Sequence, residues 1–510
     1  MHMKTTVSID DDTLSMVLEH IENDVALVDS MRTCAQISRC AARVLRERHG
    51  LESDQLWAYV AAILGKNVFI TGGGGCGKSF VSRLIVDAAR DRMGDAAVVV
   101  CAPTGLAAAA VGGITLDRVM GNRKVRSEWP TGVMSFETFR SMSGAAGDDD
   151  DENAFVNDGE VFVPVHSHFA EKRLSAVRII LIDEISMVSA AKLELLFVVL
   201  DHYDIELEGV QFVCVGDFAQ LKPVCPQASP EARALRGGHF AFRSPAWAEL
   251  RLVSVPLSVN RRCVHPEWNA CLAQLRKGKG LSGSLRECIR GLTATPTTTA
   301  EAAAVGSVAI FGKNTPVAAF NNQTFEALPG VARIITAEDS PTSWGAVPKR
   351  LPAILRLKVG CSVMVTQNLR DGPHNGASGV VMPSINGLHG GILVAFDDES
   401  IGQQRIGALV DRKKIKRGNA EEEGERRQLP LQLAAAFTVH KSQGKSISRP
   451  LHVDASTFWQ ESGMMYVALS RTTDPSTLAI AGLDSAKSYI APEVISLHES
   501  LEALQLPNWA

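Results

Sequence analysis

The chain has 510 residues, 45% of them hydrophobic and 21% charged, which excludes a disordered polar chain and points to about three to five globular units. No apolar run reaches the ~20 residues of a membrane helix, and the opening MHMKTTVSIDDD lacks both a secretory hydrophobic stretch and an Arg-rich transit pattern, so an intracellular protein with no membrane partner is expected. The net charge of −4 hides two acidic stretches, residues 1–30 at −6 and residues 141–160 at −7, whose removal leaves +9, a balance that permits a basic groove.

Residues 9–48 read as helical, with Leu14, Val17, Leu18, Ile21, Val25 and Val28 at helical spacing. From Asn67 short β-rich runs alternate with helices: NVFIT, SFVSRLIVDAARDRM, AAVVVCAP, VRIILIDE, a helix near 189–202, and VQFVCVGD. Such alternation predicts an α/β fold, a doubly wound parallel sheet covered on both faces. The rhythm breaks between 120 and 172, where SGAAGDDDDENAFVNDGE reads as an acidic loop. A second alternating region begins near 305 and returns at 432–480. Between its halves, residues 361–430 carry short strands joined by Gly- and Asn-rich turns, the pattern of a small β-barrel, and end in DRKKIKRGNAEEEGERR, read as a charged surface loop. The ten cysteines include no C-x2-C pair, which argues against zinc and against a disulfide framework.

Residues 72–79, GGGGCGKS, fit the phosphate-loop pattern between an apolar strand and an amphipathic helix. Gly72, Gly73, Gly74, Gly75, Cys76 and Gly77 would wrap backbone N–H groups round a phosphate, Lys78 would neutralise the β/γ-phosphates, and Ser79 would ligate Mg2+. Cys76 reads as an ordinary loop filler. In ILIDEIS, Asp183 and Glu184 end a second strand, where Asp183 would hold the metal and Glu184 would take a proton from the attacking water. GDFAQLKPV brings Asp217 and Gln220 to the same edge, and a Gln amide suits sensing of a γ-phosphate. Hydrolysis of a nucleoside triphosphate follows.

These motifs, in order from about 51 to 485, resemble the petite integration frequency (PIF) family of superfamily 1 DNA helicases. LESDQLWAYVAAILGKNVFITGGGGCGKS resembles its Q-motif and Walker A, which implies that Gln55 reads the adenine of ATP. CAPTGLAAAAVGGITL resembles motif Ia, LIDEISMV motif II, GDFAQLKPV motif III and LSVNRRCVHPEWNACLAQLRKG motif IV, placing Arg262 to stabilise charge on the γ-phosphate. QLPLQLAAAFTVHKSQGKSI and GMMYVALSRTTDPSTLAIAGLD resemble motifs V and VI, with His440 and Lys441, with Gln443 and Gly444 implied on the nucleotide, then Tyr466 and a second arginine, Arg471, both arginines being implied to reach the cleft from the second core.

The resemblance implies two recombinase-like cores with ATP and Mg2+ between them and single-stranded DNA across both. The organisation it suggests is an N-terminal helical segment (1–50), a core 1A (51–250) with a wedge insertion at about 120–172, a core 2A (251–360 and 431–500), and a barrel insertion 2B (361–430). It implies a monomer that moves 5′ to 3′ and opens forked DNA, with G-quadruplexes and RNA–DNA hybrids as further substrates, in repair, recombination or genome maintenance. Nucleus, mitochondrion, bacterial cytoplasm and a viral setting all fit. Two alternatives are a DNA-stimulated ATPase switch or scaffold that separates no strands, and a motor module of a larger recombination machine. Thr104, Gly105, His440 and Lys441 are the expected DNA contacts, since hydroxyls, amides and cations at strand ends suit phosphates. Phe139, Trp459 and Tyr466 are candidates for stacking on bases. The chain departs from the family at Asp117 and Arg118, where His-Ser is usual, and at Lys222 and Cys263.

Overall fold

The computed structural model describes residues 49–121, 168–223, 240–294, 298–304, 306–340 and 351–502, except 368, 370–372, 374, 384–390, 398–401, 408 and 418–419. The predicted helix over 9–48, the acidic loop with Phe139, and most of the 120–172 insertion lie outside the described residues.

The first core opens with α1 (Ser53–Ile63), started by a capping box between Glu52 and Gln55. It continues through β1 (Val68–Gly72), α2 (Lys78–Met93), β2 (Val98–Ala102), α3 (Gly105–Ala110), β3 (Ile114–Thr115), β4 (Ile179–Ile182), α4 (Ala190–His202), β5 (Gln211–Val215) and β6 (Val253–Leu257). The strands run parallel in the order β3-β2-β4-β5-β1-β6. Strand alternation explains the layering. Val68, Ile70, Val98, Val100, Leu181 and Val213 pack with Leu56 of α1 and Val81 and Ile85 of α2. Phe69, Val99, Cys101, Ile180, Ile182 and Phe212 face the other way, against Leu193 and Leu196 of α4. Because β6 pairs with β1, the first sheet extends past the boundary expected at 250, which is a correction. Its Pro256 is tolerated because β6 is an edge strand, where the missing N–H breaks no ladder.

Next come α5 (Pro266–Arg276) and α6 (Gly283–Leu292), whose Trp268, Cys271, Leu275, Leu285 and Ile289 join the same core as the α4 face of the sheet. The second core begins with β7 (Val308–Phe311) and α7 (Asn314–Ala327). An antiparallel module follows. It contains β8 (Arg333–Thr336), β9 (Glu338–Ser340), β10 (Ile354–Leu357), β11 (Ser362–Val365), β12 (Ser378–Val381), β13 (Ile392–Phe396), β14 (Gln403–Ile406), β15 (Leu409–Arg417), β16 (Ala420–Gln428) and β17 (Leu431–Leu433). Its main sheet has the order β14-β13-β12-β11-β17 around Val363, Val365, Val394 and Leu431. Two expectations change here. The module takes in β8 to β10, before residue 361, because Leu355 and Leu357 bury into its core. The charged run at 411–427 forms the β15–β16 hairpin instead of a loop, and β16 is tied to β9 by Arg426, which donates to both Asp339 oxygens at 2.7 Å. The chain then returns through β18 (Ala436–Thr438), α8 (Val439–Ser442), β19 (Leu451–Asp454), α9 (Met464–Leu469), β20 (Leu478–Ala481) and α10 (Pro492–Glu502). The second sheet is parallel, in the order β18-β7-β19-β20, so the chain holds two recombinase-like P-loop cores.

Candidate nucleotide site and nucleic-acid cleft

The loop after β1 is built from positions that require glycine. A Cβ at Gly72, where φ is +142°, would lie 2.5 Å from the Leu257 carbonyl oxygen of β6. Gly75 and Gly77 take φ of +92° and +81°, the left-handed region that other residues avoid. A Cβ at Gly75 would strike Asn260, and one at Gly77 would strike the Gln55 amide. The loop feeds α2, whose first residue, Lys78, donates from Nζ to the carbonyls of Gly72 at 2.7 Å and Gly73 at 3.0 Å. Gln55 is buried and donates from Nε2 to the Cys76 carbonyl at 3.2 Å, while its Oε1 accepts from the Glu52 N–H. Burial pushes the Cys76 thiol up, which keeps it protonated and suits a filler.

At the end of β4, Asp183 is buried and its Oδ1 accepts from the Glu184 N–H at 2.9 Å. Burial, then the neighbouring Glu184 charge, pushes the Asp183 carboxyl up, so a cation beside it would be favourable. Glu184 sits at φ +50°, a left-handed conformation that turns its side chain across the cleft. There its Oε2 accepts from Gln443 Nε2 at 2.9 Å, and a Cβ on Gly444 would lie 3.8 Å from Oε1. Gln443 and Gly444, expected on the nucleotide, thus meet the carboxylate of motif II.

Gln220 is buried, with its Nε2 3.5 Å from Asp217 Oδ2. Asp217 is also held by Arg276, which the motif reading passed over: Arg276 Nε lies 3.1 and 3.2 Å from the two Asp217 oxygens. His498 of α10 approaches the same carboxylate at 3.7 Å. Burial opposes the Asp217 charge, yet Arg276, Lys78 and His498 together hold its carboxyl below the usual range. The only sequence signal for Arg276 was its place inside the motif IV segment.

Arg262 and Arg471 converge on the loop. A Cβ at Gly74 would lie 2.9 Å from Arg262 Nη1 and 3.0 Å from Arg471 Nη2. Arg471, at the end of α9, is 1% exposed, and its bonds go to neutral oxygens of Val467, Ser470 and Lys445. Burial and the facing Arg262 pull its guanidinium down to about 9. Arg262 requires a correction. It does not come from the second core but from the loop just after β6 of the first sheet, and it reaches across to donate to Ser446 Oγ at 2.7 Å and the Ser470 carbonyl at 2.9 Å. Tyr466, read as a base-stacking candidate, is buried instead, and its hydroxyl accepts from the Gly74 N–H at 2.9 Å.

This arrangement fits a polyphosphate. A buried arginine, a half-buried one, a lysine and a glycine cradle are gathered at one loop, and the adjoining Ser79 and Asp183 supply the hard oxygens that Mg2+ prefers.

Between the cores lies a cleft of about 460 Å³ lined by Ser79, Thr104, Asp183, Glu184, His440, Gln443 and Gly444, so residues predicted for nucleotide and for DNA share one opening. Thr104 caps α3, its Oγ1 accepting from the Ala107 N–H at 3.2 Å, with Gly105 the helix's first residue. His440 lies parallel to Trp459 at 6.0 Å between ring centroids, and Trp459 and Lys441 are exposed. The departure at Asp117 has a local partner, since Lys192 Nζ lies 2.7 Å from its Oδ1. A larger recess of about 1070 Å³ at the opposite edge of the first sheet, lined by Lys66, Arg92, Arg178 and Arg251 among others, contains none of the predicted residues.

Residues 55–226 match the family model described as an AAA domain. The chain is 28% identical over 484 residues to the ATP-dependent DNA helicase PIF1 of Danio rerio, covering 91% of this chain and 66% of that protein. Thus it spans just under two thirds of that relative's length. Among solved structures, it is similar to the Pif1 helicase of Candida albicans, with a TM-score of 0.68 at 24% identity, covering 88% of this chain and 99% of that one. It is also similar to a Bacteroides Pif1 bound to single-stranded DNA, with a TM-score of 0.63 at 23% identity, covering 88% and 96%. The ordered motifs, the paired P-loop cores and these matches together make the chain similar to Pif1 helicases over most of its length.

Proposed function

We propose that the chain is an ATP-dependent DNA helicase that moves 5′ to 3′ along single-stranded DNA and opens forked or structured duplexes. The observation that carries this reading is the meeting of Arg262 and Arg471 at Gly74, one from each core. Cations supplied from both sides of a phosphate loop complete the site only when the cores close, which is what an engine needs and a static binder does not. Lys78 would leave the Gly72 and Gly73 carbonyls for the β- and γ-phosphates, Gln55 would sit beside the adenine, and Glu184 would take the proton of the attacking water. Ser79 and Asp183 would hold Mg2+, which neutralises charge on the phosphates. Gln220, Gln443 and Gly444 would relay the state of the γ-phosphate. Thr104, Gly105, His440 and Lys441 would grip the strand. Polarity, the monomeric state, and G-quadruplexes and RNA–DNA hybrids as further substrates rest on the family resemblance, as do an intracellular setting and a role in genome maintenance.

The test is ATP hydrolysis with and without single-stranded DNA, followed by unwinding of duplexes with a 5′ or a 3′ tail. Stimulated hydrolysis with release of strands only from the 5′-tailed fork is expected. Hydrolysis without release from either fork would favour the scaffold.

A further inference from the structure

Helices α5 and α6 pack side by side, and they bring two cysteines 17 positions apart into contact, with Cys271 Sγ 2.9 Å from Cys288 Sγ. That is inside the ~3.5–4.0 Å of ordinary non-bonded contact. The two thiols differ in access: Cys271 is buried and Cys288 is exposed. Their position is also distinctive. Near the start of α5, Asn269 accepts from Asn260 Nδ2 at 2.9 Å and donates to the Cys263 carbonyl at 2.8 Å, fixing the turn that carries Arg262. At its end, Arg276 holds buried Asp217. Cys271 lies between these two anchors.

We propose that Cys271 and Cys288 are a modification site, a thiol pair that a hydroperoxide converts reversibly to a disulfide, and that the bond restrains α5 and slows the nucleotide site. The exposed Cys288 thiolate attacks the peroxide O–O bond, forming an S–O bond and releasing an alcohol, or water from hydrogen peroxide. Cys271 Sγ then attacks Cys288 Sγ as it gives up its proton, the S–O bond breaks, and the oxygen leaves as water with that second thiol proton. Two thiols lose two electrons and two protons, and the peroxide is reduced. Closing the bond to its ~2.05 Å length draws the sulfurs together by roughly 0.9 Å. In a reducing compartment such a bond is transient, as befits a sensor and not a staple.

The mechanical half of the proposal rests on the function proposed above, whereas the chemical half does not. The full chain is treated with sub-millimolar hydrogen peroxide, digested with trypsin without reductant and analysed by mass spectrometry. Residues 263–276 joined to 287–290, about 2 Da below the summed masses, are expected. The link should persist in Cys263→Ser, vanish in Cys288→Ser and be reversed by dithiothreitol. Absence of the link, or a link through Cys263, overturns the site. In parallel, ATP hydrolysis should fall several-fold on oxidation, recover on reduction, and resist peroxide in Cys288→Ser. Linked protein with unchanged turnover overturns the restraint. A reduced chain with no turnover at all counts against the proposed function, while the mass measurement still decides the site.

Discussion

Replacing Arg276 with Met isolates the contribution of the buried pair with Asp217. The carboxylate is wholly enclosed and the arginine side chain 19% exposed, so the variant leaves a negative charge in the interior that has lost its hydrogen-bonded partner, with Lys78 and His498 among its remaining cationic neighbours. Breaking a buried pair from one side costs about 3–5 kcal/mol. At roughly 2–4 °C per kcal/mol for a domain of this size, Tm should fall by on the order of 10 °C. The pH dependence identifies the cause. Asp217 has a folded pKa below its unfolded value, so in the native chain its contribution is complete above the unfolded value and is lost as pH falls through the folded one. Without Arg276, burial favours the protonated acid, and acidification relieves the variant. The Tm difference should therefore be widest near neutrality and narrow towards about pH 4, as followed by scanning fluorimetry. Adding Asp217→Asn should recover most of the loss, because no charge then remains buried. A Tm difference that is constant with pH, or a double variant no better than Arg276→Met, would refute the reasoning.

Three further outcomes are expected. Lys78→Ala should lower ATP turnover by more than about 10³-fold while fluorescence anisotropy reports nearly unchanged binding of a single-stranded oligonucleotide, since the ammonium serves the loop and not the strand path. Arg471→Ala should reduce kcat by about 10³-fold with a small change in KM, and a loss under tenfold would remove it from the role of charge stabiliser. Lys445, pulled down to about 8 by burial, donates to the Gly376 carbonyl at 2.6 Å and Ser378 Oγ at 2.9 Å. Its folded pKa lies below the unfolded value of 10.5, so the cost of burying its charge is full below about pH 8 and fades as pH rises towards 10.5. Tm measured across that window should rise more in the native chain than in Lys445→Met.

The phosphate loop was legible because its backbone leaves no alternative: Gly72, Gly75 and Gly77 sit where a side chain would collide or φ is positive, and such constraints are written in the residues themselves. The alternating apolar runs predicted both sheets for a similar reason. The hairpin at β15–β16 was hidden, because its charged residues mask the two-residue period from which strands are read; only its register, with Lys414 opposite Glu423, exposes it. Likewise β6 was assigned to the wrong side of a boundary, since VSVPL is short and contains a proline that reads as a break until the strand is seen at an edge. Arg276 could not be found from spacing at all, as its partner lies 59 residues earlier on another element.

The contact between Gln443 and Glu184 suggests how the strand could govern hydrolysis. Gln443 follows directly on α8, a four-residue helix that also carries His440 and Lys441, and the turn is fixed by Thr438 Oγ1, which accepts from the Lys441 N–H. A helix this short moves as one body, so a shift of His440 or Lys441 on a phosphate must be felt at the Gln443 amide. That amide donates to Glu184 Oε2, while its own oxygen, buried, has no hydrogen-bond partner among the described residues. The proposed base is therefore restrained in the arrangement observed. Displacing α8 by the thickness of one hydrogen bond would free Glu184 for water and give the orphaned Gln443 oxygen a proton to accept. Under the proposed function, DNA would stimulate turnover by releasing a base already in place, with no chain of contacts through the rest of the second core required.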